Sequence, residues 1–101
     1  MIFGKSFEWS ESKERENIRK HRIDFEKAKL VFADPYKLKK YDVEHSINEI
    51  RWRVLGRVGR VLLVIYTERG KQVRIISARL ATKKERSIYD GQNGIFGIKT
   101  W

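Results

Sequence analysis

The sequence predicts a small α+β domain, helices packed on an antiparallel sheet, in the order β-α-α-β-β-β-β-α. Three observations carry that prediction. Residues 51–58 alternate, with Trp52, Val54, Gly56 and Val58 on one side and Arg51, Arg53, Leu55 and Arg57 on the other. Val61 to Tyr66 is apolar without a break, as in a central strand covered on both faces. Helix start signals at Ser10, Asp24 and Thr82 then divide the remaining chain into three helices.

Each element follows from its residues. Phe7-Glu8-Trp9 reads as a short first strand, and Ser10 caps a helix over Glu11 to His21. That helix has almost no apolar face beyond Ile18, so it is expected to be solvated or to lie against a partner. Asp24 caps a second helix whose Phe25, Ala28, Val31 and Phe32 recur at helical spacing and face the core. It must stop by Asp34, because Pro35 disfavours helical backbone in the residue before it. The helix–turn–helix outline of Ser10 to Phe32 suggests a DNA reader, but the highly charged first helix and the lack of an obvious hydrophobic three-helix core count against it. Tyr36 to Tyr41 reads as an edge strand guarded by lysines. Hairpin turns fall at Val58-Gly59 and Arg69-Gly70, and Gln72 to Leu80 is the last strand. Thr82-Lys83-Lys84-Glu85 fits a capping box for a helix running to about Asp90, with Gly91 as its stop. Residues 1–90 are thus expected to form one domain, and residues 91–101 a glycine-rich tail.

Composition narrows the partners. The chain has 101 residues and 41% hydrophobic content, enough for one core and too little length for two. Its net charge of +10 favours a polyanion: nucleic acid first, then an acidic protein or an anionic membrane. The absence of cysteine excludes disulfides, thiolate metal sites and a cysteine nucleophile. The N-terminus lacks the apolar core of a signal peptide, and no apolar run reaches membrane-spanning length. A soluble cytoplasmic protein is expected. His21 and His45 are the only histidines and lie far apart, so no metal site is expected. No phosphate-binding glycine loop is present, and no cofactor is expected.

Arginines, lysines, a few acids and two histidines remain, and they suffice for metal-free RNA cleavage. The RNA 2′-hydroxyl is itself the nucleophile, so a protein need supply only a proton acceptor, a proton donor and cations on the phosphate. Arg51, Arg53 and Arg57 share a strand face with no acid interleaved. A solvated surface explains that face equally well. Arg79 stands where the last strand meets the final helix, and with Lys83 and Lys84 it opposes the helix dipole unless an anion binds. Arg74 and Arg79 point to opposite faces of a regular strand, and share one only if a bulge intervenes. His45, beside Asp42 and Glu44, suits acid/base work near neutrality, though a loop histidine is more often plain surface. Lys20 and His21 also fit simple helix capping, Glu68 and Arg69 a turn ion pair, and Tyr89 a core position.

Three segments, FEWSESKERENIRKHRIDFEKAKLVFADP, DVEHSINEIRW and GRVLLVIYTERGKQVRIISARLATKKERSIY, resemble the BrnT family of bacterial toxins over about residues 7–90. The YTERG…RIISAR…T…ER block is the most specific part. The resemblance implies a RelE-like fold and a metal-independent endoribonuclease that arrests growth by cutting RNA. It also implies a BrnA-like antitoxin that masks the toxin and, with it, binds operator DNA. Matched family positions are Lys13, Lys20, His21, His45, Glu49, Arg51, Glu68, Arg69, Arg74 and Arg79. The RelE-like pattern of sheet arginines and a terminal-helix tyrosine points to Arg79 and Tyr89. The motif does not settle which residue is acid and which base.

Arg79, His45, Glu68 and Arg51 are the expected catalytic residues, with His45 or Glu68 moving the proton. Lys13, Lys20, His21, Arg53, Arg69, Lys83 and Lys84 are expected to bind RNA. Arg22 stands where the family usually has glycine, Arg53 replaces an often apolar residue, and Leu80 an often basic one. A non-catalytic nucleic-acid-binding module or co-repressor subunit is the alternative reading. A structural protein docking on an acidic partner is a third.

Overall fold

The structure, a computed structural model, describes residues 6–91. The glycine-rich tail from residue 92 lies outside the described residues.

The elements appear in the expected order. They are β1 (Ser6–Glu8), α1 (Glu11–His21), α2 (Phe25–Ala28) with a 3-10 extension (Lys29–Ala33), β2 (Leu38–Tyr41), β3 (Trp52–Val58), β4 (Arg60–Arg69), β5 (Gln72–Leu80) and α3 (Lys83–Asp90). They build one sheet in the order β1-β5-β4-β3-β2. The sheet is mixed, because β1 runs parallel to β5 while every other pair is antiparallel. A three-residue strand cannot reveal its partner from sequence, and the α1–α2 crossover returns the chain to the far edge.

The alternation read in β3 and the unbroken run in β4 have one cause. Leu62, Val64 and Tyr66 face a core with Phe25, Ala28, Val31 and Val54 under α1 and α2. Val61 and Leu63 face a second cluster with Leu38, Leu55, Ala81 and Tyr89 under α3. Three layers result, and β4 is the strand buried on both sides. Gly56 sits where β3 passes the 3-10 segment: a Cβ there would lie 2.7 Å from Val31 Cβ and 2.9 Å from the Val31 carbonyl oxygen.

Helix α1 is held to β5 by a polar side chain. Asn17 is only 5% exposed. Its amide nitrogen donates to the carbonyls of Ile23 and Ala78, both at 2.9 Å, and its oxygen accepts from the Ala78 N–H at 3.0 Å. Strand β1 pairs only Gln72–Arg74 of β5. Asn17 thus takes the place of a strand at Ala78, further along that edge. Glu14 adds a clamp, accepting from the Phe25 N–H at 2.8 Å and from the Trp9 indole at 3.2 Å.

Two helix ends differ in how they turn. Gly91 stops α3 with right-handed backbone (φ −67°), whereas Arg22 ends α1 in the left-handed region at φ 60°. That region costs an L-residue about 1–2 kcal/mol, and a glycine there loses part of the gain to its freer unfolded chain. Arg22→Gly is expected to raise stability by about 0.5–1 kcal/mol, read as a higher denaturant midpoint at unchanged slope. A lower midpoint would show that the Arg22 side chain compensates its own strain.

Candidate RNA-binding face

Helix α3 covers only one end of its sheet face. Beyond it, the rows Arg53–Ile65–Ser77 and Thr67–Arg74 continue the face that Leu55–Leu63–Arg79 begins. A bulge makes that continuity possible. The register of β5 shifts between the partners of Ile65 and Tyr66, leaving Ile76 as the extra residue. Arg74 therefore lies opposite Thr67 and Arg79 opposite Leu63, on one face. The regular-strand expectation that separates the two arginines is corrected by this bulge. Strand spacing places the Arg53 and Ser77 Cα atoms about 10 Å apart across β4.

The rim of this face is the ten-residue loop Asp42–Arg51, whose ends meet. The Asp42 N–H donates to the Arg51 carbonyl at 3.0 Å. The Ser46 hydroxyl donates to the Asp42 carbonyl at 2.6 Å and accepts from the Arg51 N–H at 2.9 Å. Thr67 in β4 anchors the loop by donating to the Ile50 carbonyl at 2.7 Å. Such closed loops on a rigid sheet are frequent carriers of function. Within it, the fully buried Asp42 meets His45 Nδ1 at 2.8 Å and accepts from Arg53 Nε at 3.2 Å.

The arginines are not the bare positive face that the β3 sequence suggests. Arg51 and Arg69 both reach Glu49, at 3.3 and 3.4 Å, and Arg74 pairs with Glu8 at 2.6 Å. Arg79 forms a fork on Glu85, with Nη1–Oε1 2.8 Å and Nη2–Oε2 3.1 Å. Glu85 closes the capping box as well, accepting from the Thr82 N–H at 2.8 Å. Burial raises the Glu85 carboxyl, but the hydrogen bonds from Arg79 and Thr82 and the Arg79 charge outweigh it and hold the group below its ordinary range. The helix terminus that Arg79 would oppose is thus neutralised from within. Pairs this exposed hold the guanidinium forks in place at small net stabilisation.

The other expected residues divide among three places. Lys13, Lys20 and His21 line one concavity of about 270 Å³ with Asn17, Ile76 and Ser77, at the bulged edge of β5. Lys83 and Lys84 are exposed in the first turn of α3. Glu68 lies opposite Val73 on the α1–α2 side of the sheet, 3.6 Å from Lys39. It borders a cleft with Glu49, Trp52, Thr67 and Arg69 at the sheet's end. Strand alternation therefore separates Glu68 from Arg53 and Arg79. Tyr89 is a core residue whose hydroxyl donates to Asp34, and burial followed by that bond raises it to about 12. Asp34 in turn accepts from the Arg57 N–H at 2.7 Å, a strand donor beyond the end of β2. Among the described residues, no group of three or more His, Cys, Asp or Glu side chains could hold a metal ion.

Asn17 is absent from the residues singled out by sequence, and Asp42 enters there only as a carboxylate neighbour of His45. Asp42 carried a signal, its three-residue spacing from His45. Asn17 carried one only in the lack of an apolar stripe on α1.

The domain thus combines a five-stranded mixed sheet, an arginine-bearing sheet face and a histidine in the loop at its rim. Residues 9–85 match the family model described as "Ribonuclease toxin, BrnT, of type II toxin-antitoxin system". The chain belongs to that family. It is also similar in structure to the ribonuclease toxin BrnT of Brucella abortus, with a TM-score of 0.56 at 24% identity over 78% of this chain and 97% of that one. No curated protein matches the sequence. No helix among the described residues is long and apolar enough to cross a membrane.

Proposed function

We propose that this chain is a metal-independent endoribonuclease, the toxin of its module, which cuts RNA and so inhibits translation and growth. The observation that supports it most is one sheet face that carries Arg53, Ser77, Arg74 and Arg79, with His45 joined to it through the Asp42 carboxylate that also holds Arg53. Arg79 and Arg53 stabilise the growing phosphate charge, and Arg51 supports them from the loop's base. His45 moves the proton; Glu68, on the other side of the sheet, is set aside for that step. Lys13, Lys20, His21, Arg69, Lys83 and Lys84 guide the RNA backbone toward the face. Residues 1–90 form the toxin domain, which works in the cytoplasm without a cofactor. A BrnA-like antitoxin neutralises it, and operator DNA is bound only through the toxin–antitoxin complex.

The test is purified protein with RNA in excess chelator. Cleavage is expected to persist there and to be lost in Arg79→Ala, with the variant's fold checked by its thermal transition. Expression is expected to arrest growth, with co-expressed antitoxin relieving it. The net charge of +10 also supports a second reading, a non-catalytic nucleic-acid-binding module. Intact RNA with tight, salt-sensitive binding would establish that reading instead.

A further inference from the structure

We infer that Asp42 is a positioning residue that sets His45 as the proton acceptor, with Nδ1 turned inward and Nε2 presented to the substrate. The inference rests on the ribonuclease reading and assigns the reacting nitrogen within it. Asp42 is 0% exposed, whereas the His45 side chain is 48% exposed. Their contact, Nδ1 to Oδ2 at 2.8 Å, leaves the ring's other nitrogen as the accessible one. A buried carboxylate makes Nδ1 the protonated nitrogen, because two lone pairs cannot face each other at that distance. Nε2 then carries the free lone pair.

The other oxygen of Asp42 takes Arg53 Nε at 3.2 Å, so one carboxylate aims both an acceptor and a phosphate-binding fork. Arg53 also lies 3.7 Å from Glu44, whose side chain is 77% exposed. The carboxylate itself is immobilised through its own backbone, which is tied to Arg51 and Ser46 across the loop's neck.

In the reaction, Nε2 takes the proton of the 2′-hydroxyl as the O2′–P bond forms and the P–O5′ bond breaks. The departing O5′ takes its proton from solvent. The products are a 2′,3′-cyclic phosphate and a 5′-hydroxyl, and the imidazole returns its proton to solvent.

Two measurements test the assignment. Nitrogen-15 NMR of the imidazole in the folded parent protein is expected to show neutral His45 protonated at Nδ1, a readout independent of activity. Protonation at Nε2 instead would overturn the inference while leaving the ribonuclease reading untouched. Cleavage is then compared across Asp42→Asn, His45→Ala and the double variant. Asp42→Asn is expected to slow cleavage by roughly tenfold or more, short of the ~10²–10⁴-fold loss in His45→Ala. In the His45→Ala background, Asp42→Asn is expected to add only the smaller loss that passes through Arg53, well short of its effect in the parent. Losses that multiply in full would mean that Asp42 does not act through His45, and overturn it. Should Asp42→Asn fail to fold, the parent's imidazole spectrum decides. A parent without cleavage overturns both the acceptor role and the ribonuclease reading.

Discussion

Asn17→Ala is expected to lower the unfolding free energy by about 3 kcal/mol, the cost of leaving buried backbone groups without partners. Three bonds disappear at once: those to the carbonyls of Ile23 and Ala78, and that from the Ala78 N–H. For a domain of this size the corresponding fall in melting temperature is on the order of 10–20 °C. Asn17→Asp separates shape from bonding. The carboxylate matches the amide in size and can still accept from Ala78 N–H, but it cannot donate to either carbonyl. It is expected to be as damaging as alanine at neutral pH. A change within about 0.5 kcal/mol for Asn17→Ala, measured by chemical denaturation, would mean that water replaces the amide at that edge.

Gly56→Ala is expected to destabilise by about 1–3 kcal/mol, although the same change at an unstrained site would be mildly stabilising. Its added Cβ would stand 2.7 Å from Val31 Cβ and 2.9 Å from the Val31 carbonyl oxygen, so relief requires the 3-10 segment to move away from β3. Trimming Val31 to alanine keeps both of those atoms. The double variant Gly56→Ala with Val31→Ala is therefore expected to recover none of the loss. Recovery would show that the Val31 methyls, rather than its backbone, set the approach.

Neither effect threatens the proposed chemistry directly, yet both bear on the face that would perform it. Asn17 secures β5 at Ala78, two residues past the bulge at Ile76 that brings Arg74 and Arg79 to one side. A loosened β5 would blur the spacing of those arginines. Cleavage by Asn17→Ala is accordingly a poor probe of catalysis, and His45→Ala a better one.

Most of the frame was legible in the residues. The β3 alternation, the unbroken β4 run, the Thr82–Glu85 box and the Asp24 cap each encode local geometry in local chemistry, and all four stand in the structure. The strand span Gln72–Leu80 is the one expected. The parallel pairing of β1 was not legible, because three residues of strand have no preference for a neighbour that lies 66 positions away. The site was half legible. Period-two spacing placed Arg53 and Arg57 on one face, and proximity in the chain suggested His45. The acids that hold Arg74 and Arg79, Glu8 and Glu85, come from other elements, so the face looked more positive in sequence than it is.

The sequence by itself determined a +10 chain with one core, its element order and its helix caps, because charge, periodicity and capping act over a few residues. Tertiary structure alone decided three things: that Arg74 joins Arg79, that Glu68 leaves them, and that Asp42 grips both His45 and Arg53. A one-residue bulge inverts the facing of every side chain after it, and a buried carboxylate gains its partners only when a loop closes. Such contacts are set by burial and register across the sheet, which no short window of sequence contains.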